Sequence, residues 1–214
     1  EIEPYCRAVL RKHWPEVPVY EDIRTLTADV LERDGIAVDA ICGGFPCQDI
    51  SVAGRGAGLA GERSGLWREY FRLVGELRPR FVIVENVAAL LGRGIGDVLG
   101  DLASIGYDAE WHCISAKDVG APHRRERVWI VANPMRAGLQ GHKQAAKGVC
   151  VPTRAASTII RDRDVHARPW GHLPADNGGM ADGLPRGVDR LKALGNSVVP
   201  QIPELIGRAI MEAA

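Results

Sequence analysis

Paired cysteines, an excess of positive charge and long apolar runs are all missing from this chain, and each absence removes a class of function. Its five cysteines, Cys6, Cys42, Cys47, Cys113 and Cys150, form no C-x-x-C pair and have no spaced histidine partners. Neither a disulfide framework nor a zinc site is therefore expected, and the thiols read as reduced ones of a cytoplasmic protein. The 27 Lys and Arg side chains are balanced by 27 Asp and Glu, so no global positive field draws in a polyanion. Contact with nucleic acid would have to come from local clusters. No apolar stretch approaches the ~20 residues that a membrane span needs. No signal-peptide pattern precedes the first element, and no internal repeat is visible.

What is present suits one substantial core: 214 residues, 46% of them hydrophobic, with room for an additional lobe. Cys6, Val9, Leu10 and His13 recur at helical spacing after Pro4, and Pro15 ends that helix. Val17 to Tyr20 is a short strand candidate that Pro18 confines to an edge. Leu26, Val30 and Leu31 mark a second helix, and Val38 to Cys42 reads as a buried strand closed by Gly43-Gly44. Five glycines between Ser51 and Gly65 leave that stretch little to bury, which predicts a mobile loop. Leu66, Trp67, Tyr70, Phe71, Val74 and Leu77 form an amphipathic helix. Phe81 to Val84 follows as a central strand, and Ile95, Val98, Leu99, Leu102 and Ile105 as the next helix. Tyr107 to Ser115 and Arg127 to Ala132 read as strands, and Ile202, Leu205, Ile206, Ala209 and Ile210 as a closing helix. The alternation predicts an α/β fold with a mostly parallel sheet covered on both faces. Its main domain spans residues 1–132 and is completed by 187–214. Between them, from 133 to 186, periodicity gives way to a loop-rich insert.

In open α/β sheets, ligands gather at the carboxyl ends of the strands. Phe45-Pro46-Cys47-Gln48 puts Cys47 on a turn just past the strand ending at Cys42. Glu85 follows the strand Phe81 to Val84, so both groups belong to that edge. A thiol there can act as a nucleophile once its ordinary pKa of ~8.5 is lowered or a proton acceptor is near. A carboxyl beside it can donate a proton or a hydrogen bond to a ring nitrogen. A lone cysteine after a strand is ordinarily a small buried hydrophobe, which is the reading for Cys6, Cys42, Cys113 and Cys150. Cys47 is set apart by Pro46, which stiffens its turn, and by the glycine-rich loop, which can close over a substrate. Farther on, His123-Arg124-Arg125-Glu126-Arg127 leads into the apolar strand Val128 to Val131. If extended backbone begins early, Arg125 and Arg127 share one face while Arg124 and Glu126 take the other.

Four segments then resemble, in order and interval, motifs of the DNA cytosine-5 methyltransferase family. They are Gly43-Gly44-Phe45-Pro46-Cys47-Gln48, Glu85-Asn86-Val87, Arg125-Glu126-Arg127 and Gly195-Asn196-Ser197-Val198-Val199-Pro200. The resemblance implies a Rossmann-like S-adenosylmethionine-dependent methyltransferase sheet acting on cytosine C5 in double-stranded DNA. It implies that Cys47 adds to C6 of a flipped base and that Glu85 engages N3 and the exocyclic amine. Arg125 and Arg127 would hold the O2 oxygen and a nearby phosphate; His123 receives no catalytic role. For the cofactor it implies Glu1 at the ribose hydroxyls, Ile2 on the adenine, and Asp22 and Ile23 at the adenine amine and ring. Asn196, Ser197 and Leu66 would close that pocket. On the residues alone, Asp22 is equally a helix cap before Thr25, and Gly195-Asn196 equally a simple turn. The family's first glycine-rich motif is not in the sequence, which opens on Glu1 and so reads as a fragment. Roughly 20–40 further residues are expected upstream, and weak cofactor binding is expected of the chain alone.

The same resemblance makes the insert the reader of DNA sequence, in the manner of compact phage-type and prophage-type members. Arg161, Arg163, Arg168 and Trp170, with Ser51 from the glycine-rich loop, are the candidate DNA contacts. Asp162 and Asp164 alternate with those arginines, so a neutralised surface loop is the competing reading. A short insert implies a short or relaxed site. The expected partners are double-stranded DNA and a cognate restriction endonuclease, with no metal, no membrane and a monomeric state. The rival functions are a catalytically impaired DNA-binding relative or gene remnant, and an RNA cytosine-5 methyltransferase.

Overall fold

Seven consecutive residues without one exposed member, Phe81–Val87, form the strand around which the sheet is built. The structure is a computed structural model, and it describes residues 1–46, 65–135 and 196–213. These fall into two units, one of residues 22–46, 65–114 and 126–135, the other of 1–21, 115–125 and 196–213. In chain order the described helices are α1 (Pro4–His13), α2 (Ala28–Arg33), α3 (Gly65–Leu77), α4 (Leu90–Arg93), α5 (Ile95–Ser104) and α6 (Gln201–Ala213). The strands are β1 (Ala40–Gly43), β2 (Phe81–Val87), β3 (Tyr107–Ile114) and β4 (Arg127–Pro134).

All four strands belong to the first unit and pair in the order β1-β2-β4-β3. Among the described strands only β1 and β2 run parallel; β4 is antiparallel to both β2 and β3. The expected mostly parallel sheet is therefore corrected. A parallel return needs a crossover of a dozen or more residues, usually a helix. Between β3 and β4 the chain supplies only a 3-10 turn, Ala116–Val119, so β4 comes back antiparallel and lodges between β3 and β2. The expected strand from Val17 to Tyr20 is not formed; Pro18 removes a donor from so short a segment. The strand expected to be buried, β1, ends the strand order, and its residues alternate between exposed and half-buried. Cys42 is accordingly exposed rather than buried, while Cys6 and Cys113 are half-buried. Cys150 lies outside the described residues.

Helix α3 carries the core of this unit. Trp67, Tyr70, Leu73 and Val74 are its buried residues, and Trp67, Tyr70 and Val74 share one cluster with Phe45, Val82, Val84, Val98, Leu102, Val128 and Ile130. Trp67 is fully buried, and its indole Nε1 donates to Asp101 on α5 at 2.8 Å. The Tyr70 hydroxyl lies 3.0 Å from the carbonyls of both Ile41 and Ile83, so its one proton is shared between the neighbouring backbones of β1 and β2. Burial pushes that phenol far above its usual pKa, which keeps it a neutral donor. At the other end of β2, Arg78 adopts a left-handed backbone (φ 48°) that closes α3, and the Tyr107 hydroxyl donates to the Pro79 carbonyl at 2.6 Å.

In the second unit, Pro4 starts α1 at a position where its missing N–H costs nothing. Ser115 and Asp118 cap the 3-10 turn reciprocally, and Gly120 (φ 86°) ends it. Helix α6 packs on that turn, with Val199, Ile202 and Leu205 buried on one side and Ala116, Val119 and Ala121 on the other. Among the described residues no helix is long and apolar enough to cross a membrane.

Replacing Trp67 by alanine empties the centre of the first unit. Urea unfolding of Trp67→Ala is expected to show a loss of about 3–5 kcal/mol; a loss below about 1 kcal/mol would mean that the ring does not organise this core.

Candidate active site

The turn after β1 is fixed by close approach to β2. A Cβ on Gly44 would stand 2.9 Å from the Glu85 carbonyl oxygen and 3.0 Å from Glu85 Oε2. Only a glycine lets the chain pass this close. Beyond it, Phe45 is buried and packs on Trp67, with ring centroids 5.3 Å apart. The Phe45 carbonyl accepts a hydrogen bond from Asn86 Nδ2 at 3.1 Å, and Asn86 Oδ1 accepts from the Val87 N–H at 2.9 Å. Asn86 is only 3% exposed, so its amide is satisfied inside the protein. It was assigned no role from sequence, although an amide inside an apolar strand was the available signal. Its effect is to tie the main chain one residue before Pro46 to the strand that carries Glu85.

Glu85 and Arg127 form the polar centre of the same unit. Arg127 Nε lies 3.0 Å from Glu85 Oε1, and both side chains are about one-fifth exposed. The register pairs Arg127 with Val87 and Trp129 with Glu85, so the two charged groups are diagonal neighbours on one sheet face. Arg127 Nη1 donates to its neighbour's carbonyl, Glu126 O, at 2.9 Å. His112 continues the row beyond Trp129, and burial holds its imidazole below the usual pKa. A carboxyl group with one oxygen on a guanidinium and the other facing Gly44 is oriented in advance; it can accept from a donor arriving over the turn or, when protonated, donate to a ring nitrogen.

Three candidate cofactor residues also lie in this unit. Asp22 pairs with Arg24 through both carboxylate oxygens, at 2.7–3.0 Å, and this hydrogen bonding lowers its pKa. Its carbonyl accepts from the Thr25 N–H and hydroxyl, so Asp22 opens a turn and not the helix before Thr25 that one reading required. Arg72 on α3 donates to the carbonyls of Ile23 (3.0 Å) and Leu26 (2.8 Å). The helix whose second residue is half-buried Leu66 thus also holds the main chain at Ile23.

The second unit holds Glu1, Ile2, Arg125, Asn196 and Ser197. Glu1 Oε1 accepts from the Glu3 N–H at 2.8 Å, and Ile2 is 58% exposed. Strand pairing begins only at Arg127, so Arg125 lies ahead of β4, where its Nη2 donates to the Ser197 carbonyl at 2.7 Å. Asn196 and Ser197 are exposed. Cys47, Ser51, Arg161, Arg163, Arg168 and Trp170 fall outside the described residues, as does the loop that follows Cys47.

Two glycines separate close approach from open space. Gly44→Ala is expected to destabilise the protein by about 1–3 kcal/mol because strand backbone, not a side-chain tip, is in the way. Gly75→Ala, exposed on α3 with nothing within 4 Å of the new methyl, is expected to stabilise it by about 0.5–1 kcal/mol. Equal effects of the two in thermal melts would refute the packing described. Asn86→Ala leaves the Phe45 carbonyl without its donor and should cost about 1–3 kcal/mol, with faster amide exchange at Val87.

Comparison with known proteins bears on the family. A family model described as C-5 cytosine-specific DNA methylase matches residues 1–165. The Type II methyltransferase M2.BsuMI of Bacillus subtilis is 33% identical over 141 residues, 62% of this chain and 35% of that protein. The Type II methyltransferase M.AquIA of Picosynechococcus is 32% identical over 150 residues, 62% of this chain and 60% of its own. Among solved structures, one described as a DNA modification methyltransferase encoded within an E. coli prophage superposes with a TM-score of 0.51 at 26% identity. That match covers 63% of this chain and 38% of the other. Spodoptera frugiperda DNMT2 shares the fold at 18% identity, with a TM-score of 0.52 over 68% of this chain and 44% of its own. The chain thus spans between about a third and three fifths of the length of these relatives. The motifs around Gly44, Glu85 and Arg127 and the extent of the family match, over three quarters of the sequence, place this chain in the C-5 cytosine-specific DNA methylase family.

Proposed function

We propose that the whole protein transfers a methyl group from S-adenosylmethionine to C5 of cytosine in double-stranded DNA. The observation that carries this reading is the Glu85–Arg127 pair at 3.0 Å, set against the glycine that leads into Pro46-Cys47. A cytosine ring is too weakly nucleophilic at C5 to accept a methyl group directly. In the proposed course the Cys47 sulfur bonds to C6, and the electron pair of the 5,6 double bond makes C5 nucleophilic. Glu85, protonated or sharing a proton, donates to N3 and accepts from the exocyclic amine, neutralising the charge that builds on the ring. Arg127 keeps the carboxyl turned toward that position. Arg125 and Arg127 serve the O2 oxygen and a phosphate through charge-assisted hydrogen bonds, for which a guanidinium carries five donors. After methylation, loss of the C5 proton to a base expels the Cys47 sulfur and restores the double bond. C6 is out of reach in a stacked duplex, so the base must be flipped out.

S-adenosylmethionine, when bound, supplies an electrophilic methyl group. The residues that would hold it are Glu1, Ile2, Asp22, Ile23, Leu66, Asn196 and Ser197. Their chemistry fits an adenosine: the Glu1 carboxylate is an acceptor for ribose hydroxyls, and exposed Ile2 offers an apolar surface for a purine. Asp22 is engaged by Arg24, an exposed pair that a ligand can displace at small cost. Ser51, Arg161, Arg163, Arg168 and Trp170 are the proposed DNA contacts. A cytoplasmic monomer acting beside a cognate endonuclease completes the reading.

DNA carrying 5-fluorocytosine tests it, because fluorine at C5 blocks the loss of a proton. With cofactor present, the whole protein should form a covalent complex that survives denaturing electrophoresis, and Cys47→Ser should form none. Glu85→Gln should slow trapping by at least about a hundredfold, the scale of a positioned acid. Trapping by Cys47→Ser, or none by the wild type, would sink the proposal.

A further inference from the structure

We propose that Arg7 is a positioning residue for the adenosine end of the site, fixing the backbone from which Glu1 and Ile2 reach the cofactor. The inference rests on the reading of those two residues given above. No residue of α1 is buried, yet the Arg7 side chain is only 14% exposed. Its guanidinium is turned back along the chain and not out to solvent. Nη1 donates to the carbonyls of Glu1 (3.2 Å) and Ile2 (2.8 Å), and Nη2 meets Glu21 Oε1 at 3.3 Å. The main-chain nitrogen of Glu1 donates in turn to the Tyr20 carbonyl at 2.8 Å. Two consecutive residues are therefore held by one planar group that is itself anchored on Glu21, while Glu1 is also tied directly to Tyr20. Among the described residues the buried Arg7 Nε meets no hydrogen-bond partner, a cost that a solvent-facing arginine would not incur.

The geometry explains why an arginine is needed. An ammonium would have to reach both carbonyls and the carboxylate from one atom on a flexible stem, whereas a guanidinium divides them between two nitrogens of a fixed fork. With both carbonyls held, the Glu1 carboxylate and the Ile2 side chain leave the backbone in set directions, and the Glu3 N–H fixes the carboxylate further. Arg7 itself touches no ligand in this scheme. Its loss is felt where Glu1 acts, at the ribose hydroxyls.

The test is calorimetric binding of S-adenosylhomocysteine and of its 2′-deoxy analogue to the whole protein. Arg7→Gln should weaken S-adenosylhomocysteine about tenfold or more but the 2′-deoxy analogue less than about threefold, because the analogue no longer uses a correctly aimed Glu1. Glu21→Gln, which removes only the anchor, should give the same pattern at smaller size, and Arg7→Lys should recover only part of the loss. Should Arg7→Gln fail to fold, judged by its melting transition, the last two variants decide. Equal weakening of both ligands, or no weakening in any variant, overturns the assignment of Arg7. A wild type that does not discriminate the two ligands overturns the placement of Glu1, and Arg7's role with it.

Discussion

A primary amide inside an apolar strand is costly unless both its ends find partners, and Asn86 finds them on two different pieces of chain. Its oxygen takes the N–H of Val87 and its nitrogen serves the carbonyl of Phe45. The second bond joins the turn leading toward Cys47 to the strand bearing Glu85. Without it, the main chain of Phe45 would lose its bond to β2, two residues past the last strand pair at Gly43. Gly44 works in the same direction from the other side, since any side chain there would push turn and strand apart. The site is thus defined by an attraction and a close approach at adjacent residues.

Arg127 reaches Glu85 because β4 runs opposite to β2. In the antiparallel ladder the first residue of β4 pairs with the last of β2, so the chain enters β4 at the carboxyl end of β2. A parallel β4 would have begun at the far end of the strand, about 20 Å away over seven residues. The reversal that departs from simple strand–helix alternation is what gives the carboxylate its guanidinium.

Much of this was legible from residues and some was not. Helix α3 and strand β2 followed from periodicity because their burial is one-sided or complete. The pairing of Glu85 with the turn at Pro46 followed from the rule that ligands collect at strand ends. The direction of β4 did not, since an apolar run such as Val128 to Val131 has the same composition either way. It was the absence of a helical pattern between Ser115 and Glu126 that carried the information. The exposure of Cys42 was equally hidden: residue type suggests burial, but position at the end of the strand order decides it. Asn86 and Arg7 went unassigned because their partners are main-chain carbonyls, which a sequence does not display.

Carbonyl groups are also what three of the arginines around the proposed cofactor residues bind, whereas Arg24 takes the Asp22 carboxylate. Arg7 holds those of Glu1 and Ile2, Arg72 those of Ile23 and Leu26, and Arg125 that of Ser197. Each bond is charge-assisted, hence stronger than a neutral one, and each fixes a segment without occupying the side chain assigned to the ligand. A chain with no net charge can use arginine in this way because acidic neighbours such as Glu21, Glu69 and Glu76 balance it locally. The guanidinium groups of Arg7 and Arg72 therefore act as internal fasteners, and an even charge balance is no argument against a polyanionic substrate. What such a substrate meets depends on which cations are left unspent.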